Sequence, residues 1–355
     1  MRPNYWTMIN RRFLNIIYPI LLIGVVFIVW KYRENQKPAS QQTVRLSGMT
    51  MGTIQYNITY LHPEGLDLSK EIDSLLKVWN QSLSTYIPES EISRFNLDSC
   101  FIFESKYFHP VLSKSQEVFE KTNGAFDPSV GPLVNAWGFG PDDSMNPDSS
   151  TIDSLRNFVG FNKVIFDNEK VCKSVKGLEL DFSAIAKGYA VDVVSDYIRS
   201  HDINNLLVEI GGELMCLGHN DQGKPWRTGI ENPKVRPEEQ KLYAIANISD
   251  LAIATSGNYR NYYEKDGTIY SHTIDPSMGY PVQRNILSAS VFAEDCMTAD
   301  AYATAFMVLG LEESKKVLER EEDIEGFLIY SDEDGKLNHY ITEAMKDKIE
   351  MIDGQ

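Results

Sequence analysis

The chain has 355 residues, 43% hydrophobic, 11% aromatic and 24% charged, with a formal net charge of −16. This composition excludes intrinsic disorder, and a chain this long can bury a core without cross-links. Residues 1–37 hold six basic side chains against Glu34 alone, so the remainder carries 28 basic and 49 acidic groups and disfavours nucleic acid as a partner.

The first element is apolar. Residues 13–30 (FLNIIYPILLIGVVFIVW) carry no charge, follow Arg11 and Arg12, and end at Trp30. The pattern predicts a single transmembrane helix of minimal length. The competing reading is a cleaved signal peptide, but Lys31-Tyr32-Arg33 follows directly and offers no small-residue cleavage site. Residues 1–12 are then a basic lead, 31–44 a polar linker, and 45–355 one catalytic body.

In that body, 45–60 alternates as a strand or hairpin arm, broken at Met51-Gly52-Thr53. Helical spacing predicts helices over 68–83, 113–122, 298–309 and 312–320. Strands are expected over 163–175, 177–181, 206–210, 241–248 and 287–292. Ser183 is expected to N-cap a helix running to about Ser200. Strands and helices alternate without a regular βαβ rhythm, which favours an α+β fold with mixed sheets packed against helices. Cys100, Cys172, Cys216 and Cys296 are widely spaced and lack a CxxC pair; they exclude a disulfide scaffold or zinc ribbon and leave one disulfide open.

Six clusters carry chemistry or mimic it. Residues 83–96 (LSTYIPESEISRFN) read as a proline turn leading into a capped helix, with Tyr86 exposed. Residues 124–140 (GAFDPSVGPLVNAWGFG) set aromatics on a turn-rich frame, suited to a flat ring ligand or to a packed loop. In 178–192 (LELDFSAIAKGYAVD) a helix start offers free N–H groups to an anion, with Lys187 beside them. Gly188 within that helix costs about 1 kcal/mol against Ala, which suggests close approach of another backbone or a ligand. Residues 208–213 (VEIGGE) end a strand at a double glycine. In 271–281 (SHTIDPSMGYP), His272 is a structural hydrogen-bonder or a base. In 295–304 (DCMTADAYAT), Asp300 and Thr304 share a helix face and offer hard oxygen ligands suited to Mg2+, or Asp300 simply complements a helix start.

In this order, together with MGT at 51–53 and TSGNYR at 255–260, these motifs resemble the ApbE-type flavin transferases, the FAD:protein FMN transferases, over nearly all of the chain beyond the linker. The resemblance implies an ApbE-like catalytic body that cuts the pyrophosphate of FAD. It would attach the FMN half to a threonine or serine of an acceptor protein through a phosphoester, releasing AMP with Mg2+ as cofactor. It implies flavin contacts from Met51, Tyr86, Ala125, Phe126 and Asp127, and further FAD-binding positions at Asp181, Lys187 and Ile274. The metal would take the carbonyl of Ala184 with the side chains of Asp300 and Thr304, and His272 would activate the acceptor hydroxyl. The acceptor would be a membrane-linked redox subunit on the outer side of a bacterial cytoplasmic membrane. Two features depart from the family pattern: there is no N-terminal cysteine for lipidation, and Ser277 and Met278 stand where a basic residue often follows Asp275-Pro276. The alternatives are an FAD pyrophosphatase giving FMN and AMP, and a non-catalytic FAD-binding protein.

Overall fold

The computed structural model describes Tyr18, residues 22–27, Lys31, and residues 41–141, 147–235, 241–257, 262–265 and 268–352, with backbone alone at 262–265 and 268–271. Residues 1–42 and Thr43–Gln355 are separate compact units. In the first, Tyr18 and residues 22–27 are helical; most of the expected 13–30 span and of its flanks lies outside the described residues. Among the described residues no helix is long and apolar enough to cross a membrane.

The second unit takes in all but the first residue of β1 (Gln42–Thr50), followed by β2 (Ile54–His62), the two parted at Met51-Gly52-Thr53 as the alternation predicts. Then come α1 (Ser69–Leu83), α2 (Glu91–Leu97), β3 (Cys100–Ile102), α3 (Phe108–Lys121), α4 (Gly131–Trp137), α5 (Ser149–Arg156), β4 (Val164–Phe166) and β5 (Lys170–Lys173). α6 (Ala186–Arg199), β6 (Leu206–Ile210), β7 (Glu213–Leu217), β8 (Trp226–Glu231), β9 (Leu242–Ile248) and β10 (Leu251–Gly257) follow. The chain closes with β11 (Tyr262–Lys265), β12 (Thr268–Ser271), β13 (Ile286–Ala293), α7 (Cys296–Leu309), α8 (Leu311–Arg320), β14 (Ile324–Ser331), β15 (Leu337–Ile341) and β16 (Ile349–Met351).

Eight strands form the main sheet in the order β1-β2-β6-β7-β10-β13-β14-β15, antiparallel from β2 to β15. Alternation sends neighbouring side chains to opposite faces. Ala252, Ala254, Val291 and Leu328 face the helices, whereas Ile253, Phe292, Phe327 and Ile329 face the small sheet β16-β9-β8. The central helix is α7, buried nearly all round, as a helix with no polar stripe must be. The α+β expectation holds.

Four local expectations need correction. Residues 163–175 fold not as one strand but as the antiparallel pair β4 and β5. Residues 177–181 form no ladder: Leu178 and Leu180 are buried, but only Glu179 bridges, to Val130. Ser183 is not a cap: its N–H donates to Asp181 Oδ1 at 2.7 Å, and α6 begins at Ala186 without a side-chain cap. α3 begins at Phe108 rather than 113, because Pro110 is tolerated in a first turn while Phe108, Val111 and Leu112 bury. A disulfide joins Cys100 to Cys172, directly opposed on β3 and β5; Cys216 and Cys296 are buried thiols.

Candidate functional site

The site grows from the crossing of α6 and α7. A Cβ on Gly188 would stand 2.2 Å from the Cys296 carbonyl oxygen and 2.8 Å from Asp300 Cβ, so only glycine admits this approach. The close backbone approach expected at Gly188 is therefore that of a second helix. Each helix start then receives a carboxylate from the other. Asp300 Oδ2 accepts the Gly188 N–H at 2.9 Å, while Asp192 accepts those of Cys296 and Met297 at 2.7 and 2.8 Å. Asp295, the N-cap of α7, takes the Thr298 N–H at 2.7 Å. These bonds satisfy donors that helix starts leave without partners. Burial, and then the nearby Asp295 charge, push the Asp192 carboxyl well above the usual range.

Lys187 joins the same corner. Its ammonium lies 3.1 Å from Glu213 Oε1 and 3.6 Å from Asp300 Oδ1. Burial alone would lower its pKa, but the Asp300 and Glu213 carboxylates outweigh it and hold the lysine protonated. Glu213 opens β7 after Gly211 and Gly212, which take φ of 61° and 99° to turn the hairpin. The Met51-Gly52-Thr53 turn leads into Ile54, whose Cγ2 would stand 2.8 Å from a Cβ on Gly211. One helical turn beyond Asp300, Thr304 Oγ1 lies 3.2 Å from Ser256 Oγ of β10. Ala184 sits in the turn before α6.

A second group is aromatic. The Tyr86 hydroxyl donates to the Phe139 carbonyl at 3.4 Å, and Phe139 meets the His272 ring edge-on at 6.5 Å between centroids. Tyr86 is 68% exposed; its phenol pKa is nonetheless raised, by partial desolvation and then by the Asp181 carboxylate. Trp137 donates Nε1–H to Gly279 at 2.9 Å and packs against Tyr280, tying 124–140 to the loop after His272. That loop is an Asx turn: Asp275 Oδ1 accepts from Ser277 and Met278, and Arg284 reaches Asp275 Oδ2 at 3.6 Å, bringing a cation from further along the chain. Asp181 links the two groups, its N–H bonded to Pro128 at 2.8 Å and its carboxylate shaping the turn into α6.

Some expected contacts have side chains committed to the fold. Asp127 Oδ1 accepts from Ser129 N–H and Oγ–H, and Oδ2 from Phe161 N–H. Ala125, Phe126 and Ile274 are buried among apolar neighbours. Residues 258–260 of the TSGNYR motif lie outside the described residues. Glu213, Asp192 and Ser256 escaped the sequence reading. Glu213 stood in a glycine turn and Asp192 at the end of a quoted motif, but neither partner is near in sequence.

The Asp300 carboxylate and Thr304 hydroxyl on α7, with the Ala184 carbonyl in the turn before α6, are all oxygen donors, of the kind hard cations prefer. Among the described residues no cluster of three or more His, Cys, Asp or Glu competes with it. The chemistry of the donors thus fits Mg2+.

The ApbE family model matches residues 51–328. The chain belongs to the ApbE family. It is 41% identical over 320 residues to the FAD:protein FMN transferase of Vibrio cholerae serotype O1, covering 88% of this chain and 93% of that protein. It is 36% identical over 314 residues to that of Escherichia coli K12, covering 85% and 89%. The structure resembles flavin transferase ApbE from Vibrio cholerae with a TM-score of 0.79 at 39% identity, covering 87% of this chain and 99% of that one. The apo flavinyl transferase ApbE of Pseudomonas stutzeri gives 0.77 at 33%, covering 87% and 97%.

Proposed function

We propose that this chain is an FAD:protein FMN transferase that moves the FMN moiety of FAD onto a threonine or serine hydroxyl of an acceptor protein. The observation that carries this reading is the reciprocal helix crossing, which aims Asp300 at the start of α6 in a chain whose family relatives bear that name. The acceptor oxygen attacks the FMN-side phosphorus, a P–O bond forms, the pyrophosphate P–O bond breaks, and AMP leaves. A ring nitrogen of His272 takes the hydroxyl proton, which turns a weak nucleophile into a competent one. Tyr86 offers the isoalloxazine a ring face, Met51 flanks it, and residues 125–127 and Ile274 meet it through main chain, since their side chains are turned inward. Asp181 and Lys187 stand on the side of the pyrophosphate. Asp300, Thr304 and the Ala184 carbonyl would hold Mg2+, which when bound neutralises charge on the pyrophosphate and on leaving AMP.

The proposal extends to location. Residues 13–30 serve as an uncleaved anchor preceded by a basic lead and followed by the 31–44 linker, with the catalytic body outside the cytoplasmic membrane beside a redox-subunit acceptor. The Cys100–Cys172 disulfide supports an oxidising compartment.

The test incubates the full chain with FAD, Mg2+ and a flavin-acceptor domain, following acceptor mass and AMP. Acceptor mass gained as FMN, matched by AMP and lost with EDTA, is the expected result. AMP with free FMN and no acceptor gain would favour the hydrolase, and unchanged bound FAD the carrier.

A further inference from the structure

The Lys187 ammonium stands between two buried carboxylates and nearer to Glu213 than to Asp300. Glu213 is 3% exposed, and a carboxylate so placed is costly unless paired. It is held there by the Gly211-Gly212 hairpin. The other carboxylate of that hairpin does not compete, because Glu209 accepts from Gly212 N–H and Asn57 Nδ2, both at 2.7 Å. Asp300 carries a heavier load. One of its oxygens serves Gly188, and the other faces Lys187, on the carboxylate that a divalent cation would need. A lysine and a divalent cation repel, so one of them must have somewhere else to be neutralised.

We propose that Glu213 is a positioning residue that holds the Lys187 ammonium and so leaves Asp300 available to the cation. The inference rests on the metal role assigned to Asp300 above. Without the Glu213 charge, Asp300 is the one carboxylate left in the Lys187 ion-pair group among the described residues, and the ammonium becomes a competitor for the metal. Glu213 itself is given no contact with FAD, so Glu213→Gln need not lower FAD affinity when it lowers metal affinity.

The test is Mn2+ binding, read by paramagnetic resonance of free Mn2+ with the full chain, no acceptor, and FAD at a concentration shown by flavin fluorescence to saturate each variant, so that a changed Lys187–FAD contact does not enter the Mn2+ Kd. The parent should bind Mn2+ and Asp300→Ala should not; a parent that fails to bind would sink the metal reading and this inference together. If both behave as stated, Glu213→Gln should weaken the Mn2+ Kd about tenfold. Adding Lys187→Met to Glu213→Gln should restore it, because the competitor is gone. An unchanged Kd in Glu213→Gln overturns the positioning role alone. Failure of Lys187→Met to restore binding also overturns it, and would mark Glu213 as a direct ligand or a purely structural group. If Glu213→Gln does not fold, Lys187→Met alone decides: it should bind Mn2+ at least as tightly as the parent, and weaker binding overturns the proposal.

Discussion

Asp300 Oδ2 accepts the backbone N–H of Gly188 at 2.9 Å, so a single carboxylate both satisfies a donor in the first turn of α6 and fixes where its second oxygen points. Asp192 returns the arrangement to α7 through Cys296 and Met297. The crossing is therefore self-locking, and the candidate metal ligands are aligned by the bonds that hold the helices together.

Among the described glycines, a Cβ on Gly188 comes nearest to another stretch of backbone, so Gly188→Ala should be strongly damaging. Its Cβ would meet the backbone of Cys296, which cannot swing aside as a side chain would. Overpacking of this kind costs about 3 kcal/mol, and separating the helices also weakens the Asp300 bond. The urea midpoint should fall markedly and activity should fall with it. A midpoint within error of the parent would contradict the close crossing.

Asp300→Asn and Asp300→Ala should part company. Asparagine keeps an oxygen for the Gly188 N–H, so stability should stay within about 1 kcal/mol of the parent. Alanine leaves that buried donor unpaired and should cost about 2 kcal/mol. Both remove the carboxylate and should lower transfer at least a hundredfold. Thermal unfolding beside AMP release separates the two effects; equal stabilities would mean that the hydrogen bond contributes little.

The sequence made α7 legible because its apolar run acts locally, and Asp300 and Thr304 fall on one face by spacing alone; the Asp295 cap, which sets its start at Cys296 rather than 298, escaped the sequence reading. Gly188 was legible as a cost in need of a cause. The cause itself, the Cys296 carbonyl, lies over a hundred residues away and leaves no local pattern. The same holds for Glu213 with Lys187 and for Cys100 with Cys172. α4 was hidden among glycines and prolines, although Pro132 near its start and left-handed Gly138 at its end suit a short helix. Residues 177–181 look like a strand because Leu178 and Leu180 alternate inward, yet a strand also needs a neighbour; here the Asn96 side chain of α2 takes the Leu180 N–H and carbonyl, and Asn135 of α4 reaches Glu179 instead.

Reduction of the Cys100–Cys172 bond should destabilise the body without abolishing its chemistry. The bond closes a loop spanning a sequence separation of 72, and the chain-entropy model assigns such a loop about 4 kcal/mol. It lies on β3 and β5, apart from the α6–α7 corner. Dithiothreitol should lower the thermal midpoint of the parent and leave the Cys100→Ser/Cys172→Ser double variant unmoved. A parent insensitive to reductant would deny the bond a stabilising role.

Tyr86 separates two ways of contributing to FAD binding. Its hydroxyl bond to Phe139 is long, at 3.4 Å, whereas its ring is 68% exposed beside the Phe139–His272 pair. Stacking on a flat ligand uses the ring, and removing such a platform costs about 1–3 kcal/mol. Tyr86→Phe should therefore keep the KM for FAD within twofold, while Tyr86→Ala should raise it about tenfold or more with kcat little changed. Steady-state rates over a range of FAD concentrations distinguish these outcomes. Equal losses in both variants would assign the contribution to the hydroxyl, and a fall in kcat alone would move Tyr86 from holding the flavin to orienting the acceptor beside His272.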